Sequence, residues 1–367
     1  MADPRVERLA TTLVNYSARV QPGEHVAIYG VPEAASLVRE VYREVLRAGG
    51  YPYTFIGLSG LAEIFFAEAS PEQLTHVSRV EEMVRGEFDA LVNIRASTNT
   101  RSLTSVPPEK QAERTRAYSD LMKVFMERSA SGALKWVLTL FPTNAHAQDA
   151  EMSLEEFEDF VYRACFADQE DPVVRWQAVH KMQQKLVDWL KGKRMLEVNG
   201  PNVELRLSIE GRTFVNSDGT HNMPSGEIFT GPVEDSVEGW VRFTYPAVTQ
   251  GREVEGVELT FEKGRVVKAT AEKNEEFLLS QLDADEGART LGEFAIGTNH
   301  GIDRFVKNIL FDEKIGGTIH MAVGAGYPET GSQNESAIHW DMICDMRDGG
   351  EITADGELFY HAGEFTI

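Results

Sequence analysis

Cysteine is scarce in this chain. There are two in 367 residues, Cys165 and Cys344. That excludes a disulfide framework and predicts a reducing, cytoplasmic setting. Cys165 falls in a helical pattern and Cys344 beside an apolar strand. Neither has basic neighbours that would make a reactive thiolate, so both read as packing residues. No run of about 18 apolar residues occurs, which excludes a membrane-spanning helix. The start, Met1-Ala2-Asp3-Pro4-Arg5, has an acid and a proline early and no apolar stretch behind a basic one, so no secretory signal is expected. Basic residues are outnumbered, 36 Lys and Arg against 58 Asp and Glu, for a formal charge of −22. Such a chain repels nucleic acid and anionic membrane surfaces. Most of the acid serves solubility, and a minority of carboxylates remain to hold metal ions or a substrate ammonium group. Several signatures are absent as well. Without HExxH there is no helix-borne zinc protease site, and neither a GxSxG elbow nor a Walker A sequence occurs. Gly324-Ala-Gly-Tyr327 is glycine-rich but opens no dinucleotide fingerprint.

What is present divides the chain in two. Hydrophobic residues make up 42% of it, enough for two cores. In the first half, helical and strand patterns alternate. Helices are expected over 5–20, 33–48 and 108–129, and buried strands over 25–29, 51–56, 88–94 and 134–141. Ser153-Leu-Glu-Glu156 is a capping-box pattern opening a helix, and another helix is expected over 171–193. After Gly192 the strands become short and alternating, separated by turns such as Glu210-Gly211, Asp218-Gly219 and Lys263-Gly264, with one helix over 272–284. The expected architecture is an α/β N-terminal domain, 1–193, with a mostly parallel sheet. An α+β C-terminal domain, 194–367, with a largely antiparallel sheet follows.

The C-terminal half also holds the residues suited to chemistry. His339 and Asp341 are two apart in a β-like run, so they share a face with Ala337 and Ile343, while Ile338, Trp340 and Met342 face the other way. An imidazole beside a carboxylate can chelate a divalent cation. His320 shares a face with Thr318 and Ala322 in a second strand. If the two strands are neighbours, both histidines and Asp341 converge. Glu227 and Glu293, each following a glycine, could complete the set. Three carboxylates and two histidines suit Zn, Mn or Co better than Ca or Mg. Each residue taken alone has a plainer reading: a histidine satisfied in its strand, a glutamate solvated in a turn, a His–Asp hydrogen bond. Spacing by itself therefore carries one ion around His320, His339 and Asp341.

These blocks resemble the M29 family of metallo-aminopeptidases nearly end to end. Leu13-Val-Asn-Tyr-Ser17 with Pro22-Gly23 is similar to the family's opening. Asn222-Met-Pro-Ser-Gly-Glu-Ile-Phe-Thr230 is the most specific block. Leu291-Gly-Glu293, Gly317-Thr-Ile-His-Met-Ala-Val-Gly324, His339-Trp-Asp-Met-Ile343 and the closing 350–365 follow in the family's order. The resemblance implies two divalent ions held by Glu227, Glu293, His320, His339 and Asp341, with Glu293 bridging. Glu313 is the nearest match to a further acidic position, and Tyr327 matches a tyrosine that assists catalysis. It further implies short peptides with a free N-terminus as substrates, and a homodimer. Pro142-Thr-Asn-Ala-His146 departs from the family pattern by lacking a tryptophan common after the fourth strand. Two rival functions belong to other classes: a catalytically silent metal-binding scaffold, and a metallohydrolase such as an amidase with a different substrate.

Overall fold

Apolar runs without alternation, such as Val26-Ala-Ile28 and Leu91-Val92, are what a strand covered on both faces requires. In the computed structural model, which describes residues 3–249 and 251–367, these runs form a parallel sheet. (Met1, Ala2 and Gln250 lie outside the described residues.) Its strand order is Tyr51–Ile56, His25–Gly30, Ala90–Arg95, Lys135–Leu140, Asn222–Met223, every pair parallel. Val26, Ala27, Ile28, Val92 and Val137 are fully buried, whereas the edge strand Tyr51–Ile56 is mostly exposed. The helix Leu154–Ala164 opens with the expected capping box: Ser153 accepts from the Glu156 N–H, and Glu156 accepts from the Ser153 N–H.

Two helical expectations change in detail. The helix read over 5–20 is Pro4–Thr11, capped by Asp3, and passes into a π-turn over Thr12–Ser17. The helix read over 108–129 is two, Pro108–Ala117 and Ser119–Ala130. They break at Tyr118, whose φ of −93° and ψ of 1° leave the helical region while its hydroxyl accepts a 2.8 Å hydrogen bond from Arg114. Periodicity continues across such a break, so the pattern alone does not reveal it.

The chain divides into two units, Met1–Arg175 with Gly219–Pro224, and Trp176–Asp218 with Ser225–Ile367. The division expected at 193 follows the end of the helix Pro172–Leu190, whereas the units part near its start. Leu186 and Leu190 of that helix belong to the second core.

The second unit is built on antiparallel sheets of eight and five strands. Alternation is clear in Val203–Ser208, where Val203, Leu205 and Leu207 turn inward and Glu204 and Arg206 outward. Both sheets contribute to one core, which includes Val198, Leu205, Val241 and Leu259 from the larger and Phe294, Ile319 and Trp340 from the smaller. The smaller sheet runs His339–Asp345, Thr318–Gly324, Leu291–Gly297, Glu227–Thr230, Val215–Ser217. Its strands Leu291–Gly297 and Thr318–Gly324 are buried at every residue. Among the described residues, no helix is long and apolar enough to cross a membrane.

Candidate metal centre

Strand register decides which side chains meet on the smaller sheet. Asp341 pairs with Ala322, and Ala322 with Glu293. Two residues along, His320 pairs with Ala295, and Gly324 with His339. Glu227 pairs with Gly297 at the far side. Paired residues share a face, as do residues two apart, so all five candidates project from the same side of the sheet. The partners between them are Ala295, Gly297, Ala322 and Gly324. Such small residues leave room above the sheet for the larger acidic and imidazole groups. Trp340 and Met342, on the opposite face, join the core.

Both glutamates follow glycines, for a steric reason. Gly226 has φ of 115°, and a Cβ there would come within 2.7 Å of the Asn299 Cβ. A Cβ on Gly292 would come within 2.4 Å of the carbonyl oxygens of Gly324 and Ala325. The ladder register also shifts between Leu291 and Glu293, which re-aims the Glu293 side chain.

The side chains come close enough to share cations. His339 Nε2 is 3.2 Å from Glu293 Oε2 and 3.5 Å from Asp341 Oδ1. His320 Nε2 is 3.4 Å from Glu293 Oε1, 3.5 Å from Glu227 Oε2 and 4.0 Å from Asp341 Oδ1. Glu293 thus directs one oxygen at each histidine. Two groups that could hold an ion result, Glu293–His339–Asp341 and Glu313–His320–Asp341, with Asp341 common to both and all candidate ligand atoms of a group within 4.8 Å of one another. Each histidine is oriented from behind. Nδ1 of His320 lies 2.8 Å from the Glu313 carbonyl, and Nδ1 of His339 lies 2.7 Å from the Ala325 carbonyl. Donation to a carbonyl fixes the proton on Nδ1 and leaves the Nε2 lone pair for a ligand.

The electrostatics demand positive charge at this point. Burial alone would lower the His320 imidazole, yet Glu293, Glu227 and Asp341 raise it to about 10. Burial opposes a charge on His339 too, but Asp341 and Glu293 drive it well above its ordinary value. Burial would raise Asp341, and the two histidines instead hold it down to about 2. Glu293 is lowered, against burial, by hydrogen bonding to both rings. Glu313 is pushed up to about 7, chiefly by burial and against the pull of Lys314. Two buried carboxylate oxygens, Glu227 Oε2 and Asp341 Oδ1, accept no hydrogen bond. Leaving such atoms bare is costly. A cation between the carboxylates and the two Nε2 atoms would satisfy them, so the donor set fits divalent metal.

Tyr327, half-buried, lies edge-on to His339 with ring centroids 5.0 Å apart and edge-on to Phe229 at 5.4 Å. Burial and the surrounding carboxylates keep its phenol protonated. One member was missed by sequence reasoning: Lys314, whose side chain is 0% exposed and bonded to Glu313. In sequence, Asp312-Glu-Lys314 looks like a solvated charged turn. Asp312 is buried as well, accepting from the N–H groups of Val306 at 2.7 Å and Asn308 at 2.6 Å, and so shapes the loop that delivers Glu313. The apolar flanks Leu310-Phe311 and Ile315 were the available signal that this turn is internal.

Comparison with known proteins places this site in context. The chain is 27% identical to aminopeptidase 2 of Geobacillus stearothermophilus, covering all of this chain and 98% of that protein. It is 29% identical to aminopeptidase T of Thermus thermophilus, covering 96% and 94%. The solved structure of wild-type AmpT from Thermus thermophilus superimposes with a TM-score of 0.87 at 25% identity, covering 99% of each chain. The sequence profile of the thermophilic metalloprotease (M29) family matches residues 2–365. With near-complete coverage and a cation-demanding cluster of acids and histidines, the chain belongs to the M29 family of metallo-aminopeptidases and is a metal-dependent hydrolase of that class.

Proposed function

We propose that this protein removes N-terminal residues from short peptides, using two divalent ions held by Glu227, Glu293, Glu313, His320, His339 and Asp341. Zinc, cobalt and manganese suit this mixed nitrogen and oxygen set better than magnesium. The observation that carries the reading is the pair of ligand groups joined through Asp341, with Glu293 facing both histidines. Ions bound there supply Lewis acidity and lower the pKa of a water molecule. The chain's own residues do the remaining work. The Glu313 and Ala325 carbonyls hold the imidazoles in the ligand tautomer. Tyr327, a neutral phenol, donates a hydrogen bond to the oxyanion as the scissile carbonyl becomes tetrahedral. Glu293 or Glu313 takes the water's proton and returns it to the leaving amine. Acidic surroundings favour a substrate ammonium group, which restricts cleavage to the first peptide bond.

Two finer readings accompany this one. Both cysteines are buried, in keeping with a reducing cytoplasm. The first unit exposes Tyr51, Tyr53, Ile56, Leu58, Leu61 and Ile64, apolar surface suited to a homodimer contact.

The test is hydrolysis of leucyl- and arginyl-p-nitroanilides with and without EDTA, followed by Co, Mn or Zn, alongside N-blocked peptides. Activity should vanish with chelator, return with metal and fail on blocked substrates. His339→Ala and Asp341→Ala should each lose activity by orders of magnitude while the far-UV spectrum is unchanged. Full activity in metal-stripped His339→Ala protein sinks the proposal. Equal cleavage of blocked and free peptides points to the amidase reading instead.

A further inference from the structure

Lys314 is the one lysine or arginine among the described residues that is fully buried. Withdrawing an ammonium from water is costly unless carboxylates compensate it. Its compensation comes from the site itself. Nζ is bonded to Glu313 and lies 3.5 Å from Glu227 Oε1. Among the described residues its ion pairs within 4.0 Å are with those two carboxylates, and its charge reaches Asp341 only from farther off. The ammonium therefore sits on one side of the cluster, on the two carboxylates that flank His320. The Glu293–His339–Asp341 side has no such resident cation.

The consequence is a difference between the two ion positions. An ion arriving beside His339 has only that imidazole's proton to displace from between Glu293 and Asp341, and the freed ring becomes a ligand. An ion arriving beside His320 needs Glu227 and Glu313, which already share a positive charge. It must draw those carboxylates away from Lys314, or bind with a like charge a few ångströms distant in a poorly solvated site. Either alternative weakens binding there. The backbone keeps the lysine close, because the Lys314 carbonyl accepts from the Asn299 N–H at 3.1 Å, beside the strand that carries Glu293.

We propose that Lys314 is a built-in competitor cation that makes the two ion positions unequal. The position at Glu293–His339–Asp341 is tight and filled first. The position at Glu313–His320–Asp341, with Glu227 alongside, is loose and exchangeable, because Lys314 holds Glu313 and Glu227. This inference rests on the two-ion reading and adds which ion is retained and which is exchanged. Lys314 acts here as a positioning residue, through the carboxylates.

The experiment titrates metal-stripped, full-length protein with Co²⁺ alone. Heat release gives the affinities, and visible absorption reports the occupied positions. In the wild-type protein, two binding steps should be separated by at least about 100-fold in Kd, and Lys314→Met should tighten the second by about tenfold or more while moving the first much less. Lys314→Gln, which keeps a polar group, should give the same direction and guards against a misfolded Met variant. Two steps of equal affinity in the wild-type protein overturn the proposal whatever the variants do. Two separated steps that neither variant alters overturn it too, and leave the two-ion reading standing. Failure of the wild-type protein and both variants to bind a second Co²⁺ defeats the two-ion reading and this inference together.

Discussion

Two strands of this chain, similar in length, obey opposite rules. Tyr51–Ile56, at the edge of the parallel sheet, is exposed over most of its length. Leu291–Gly297, inside the five-stranded sheet, is buried at every residue. The edge strand carries large side chains, stacked loosely as in Tyr29 on Phe55 at 4.9 Å. The inner strand alternates bulk with near-absence of side chain: Gly292, Ala295 and Gly297 beside Phe294 and Ile296. The difference teaches where precision is needed. An edge strand has only to pair on one side. The Glu293 strand must pair on both sides, fill a core on one face and hold a carboxylate between two histidines on the other.

Three predictions sharpen that contrast, from the largest effect to the smallest. The first concerns chemistry presented just beyond the buried strands. Tyr327→Phe should lower kcat by about 10²-fold while KM changes little, since the proposed hydrogen bond forms as the oxyanion develops. Steady-state kinetics on an aminoacyl p-nitroanilide decides it, and an effect confined to KM would assign the phenol to substrate binding. The second compares the two strands directly. Gly292→Ala forces a Cβ against two carbonyl oxygens and should cost about 1–3 kcal/mol, with loss of activity as Glu293 shifts. Thr54→Ser, at an exposed position of the edge strand, should stay within about 0.5 kcal/mol. Denaturant midpoints of both variants test the pair, and equal losses would erase the distinction.

The third prediction concerns pH. In metal-free protein His320 is raised from 6.5 to about 10, so its contribution is complete below 6.5 and is lost as pH rises toward 10. Glu313 is raised from 4.5 to about 7, so folding favours its protonated form and stability declines as pH rises between those values. Both slopes have the same sign. Metal binding runs the other way, because its ligands must be deprotonated. The gap in melting temperature between loaded and metal-free protein should therefore widen from about pH 5.5 to about pH 8.5. A gap that narrows over that range would show that protons and ions do not compete for these groups.

The legibility of this fold in its sequence followed the same contrast. Alternation and turn residues made the strands of the larger antiparallel sheet readable, as in Val203–Ser208, because each has one face to bury. The spacing of His339 and Asp341 gave their shared face without outside help, and His320 followed once a neighbouring strand was supposed. Glu227 and Glu293 were different. A glutamate after a glycine is a common surface feature, and their place beside the histidines came from resemblance to a family. Lys314 escaped both routes. Local composition describes its charge well and its burial not at all, since the compensating carboxylate of Glu227 lies 87 positions away in the chain. Long-range ion pairs leave no periodic trace. The break at Tyr118 was hidden for the converse reason, as a one-residue change of backbone conformation that leaves the apolar spacing intact.

The carbonyls behind the two imidazoles carry one more implication. Because the oxygens of Glu313 and Ala325 hold Nδ1 of each ring, the freedom to rotate or change tautomer is surrendered when the chain folds. Ion capture then needs little reorientation of the rings. On the two-ion reading, cations that suit imidazole and carboxylate ligands would exchange at positions set before they arrive.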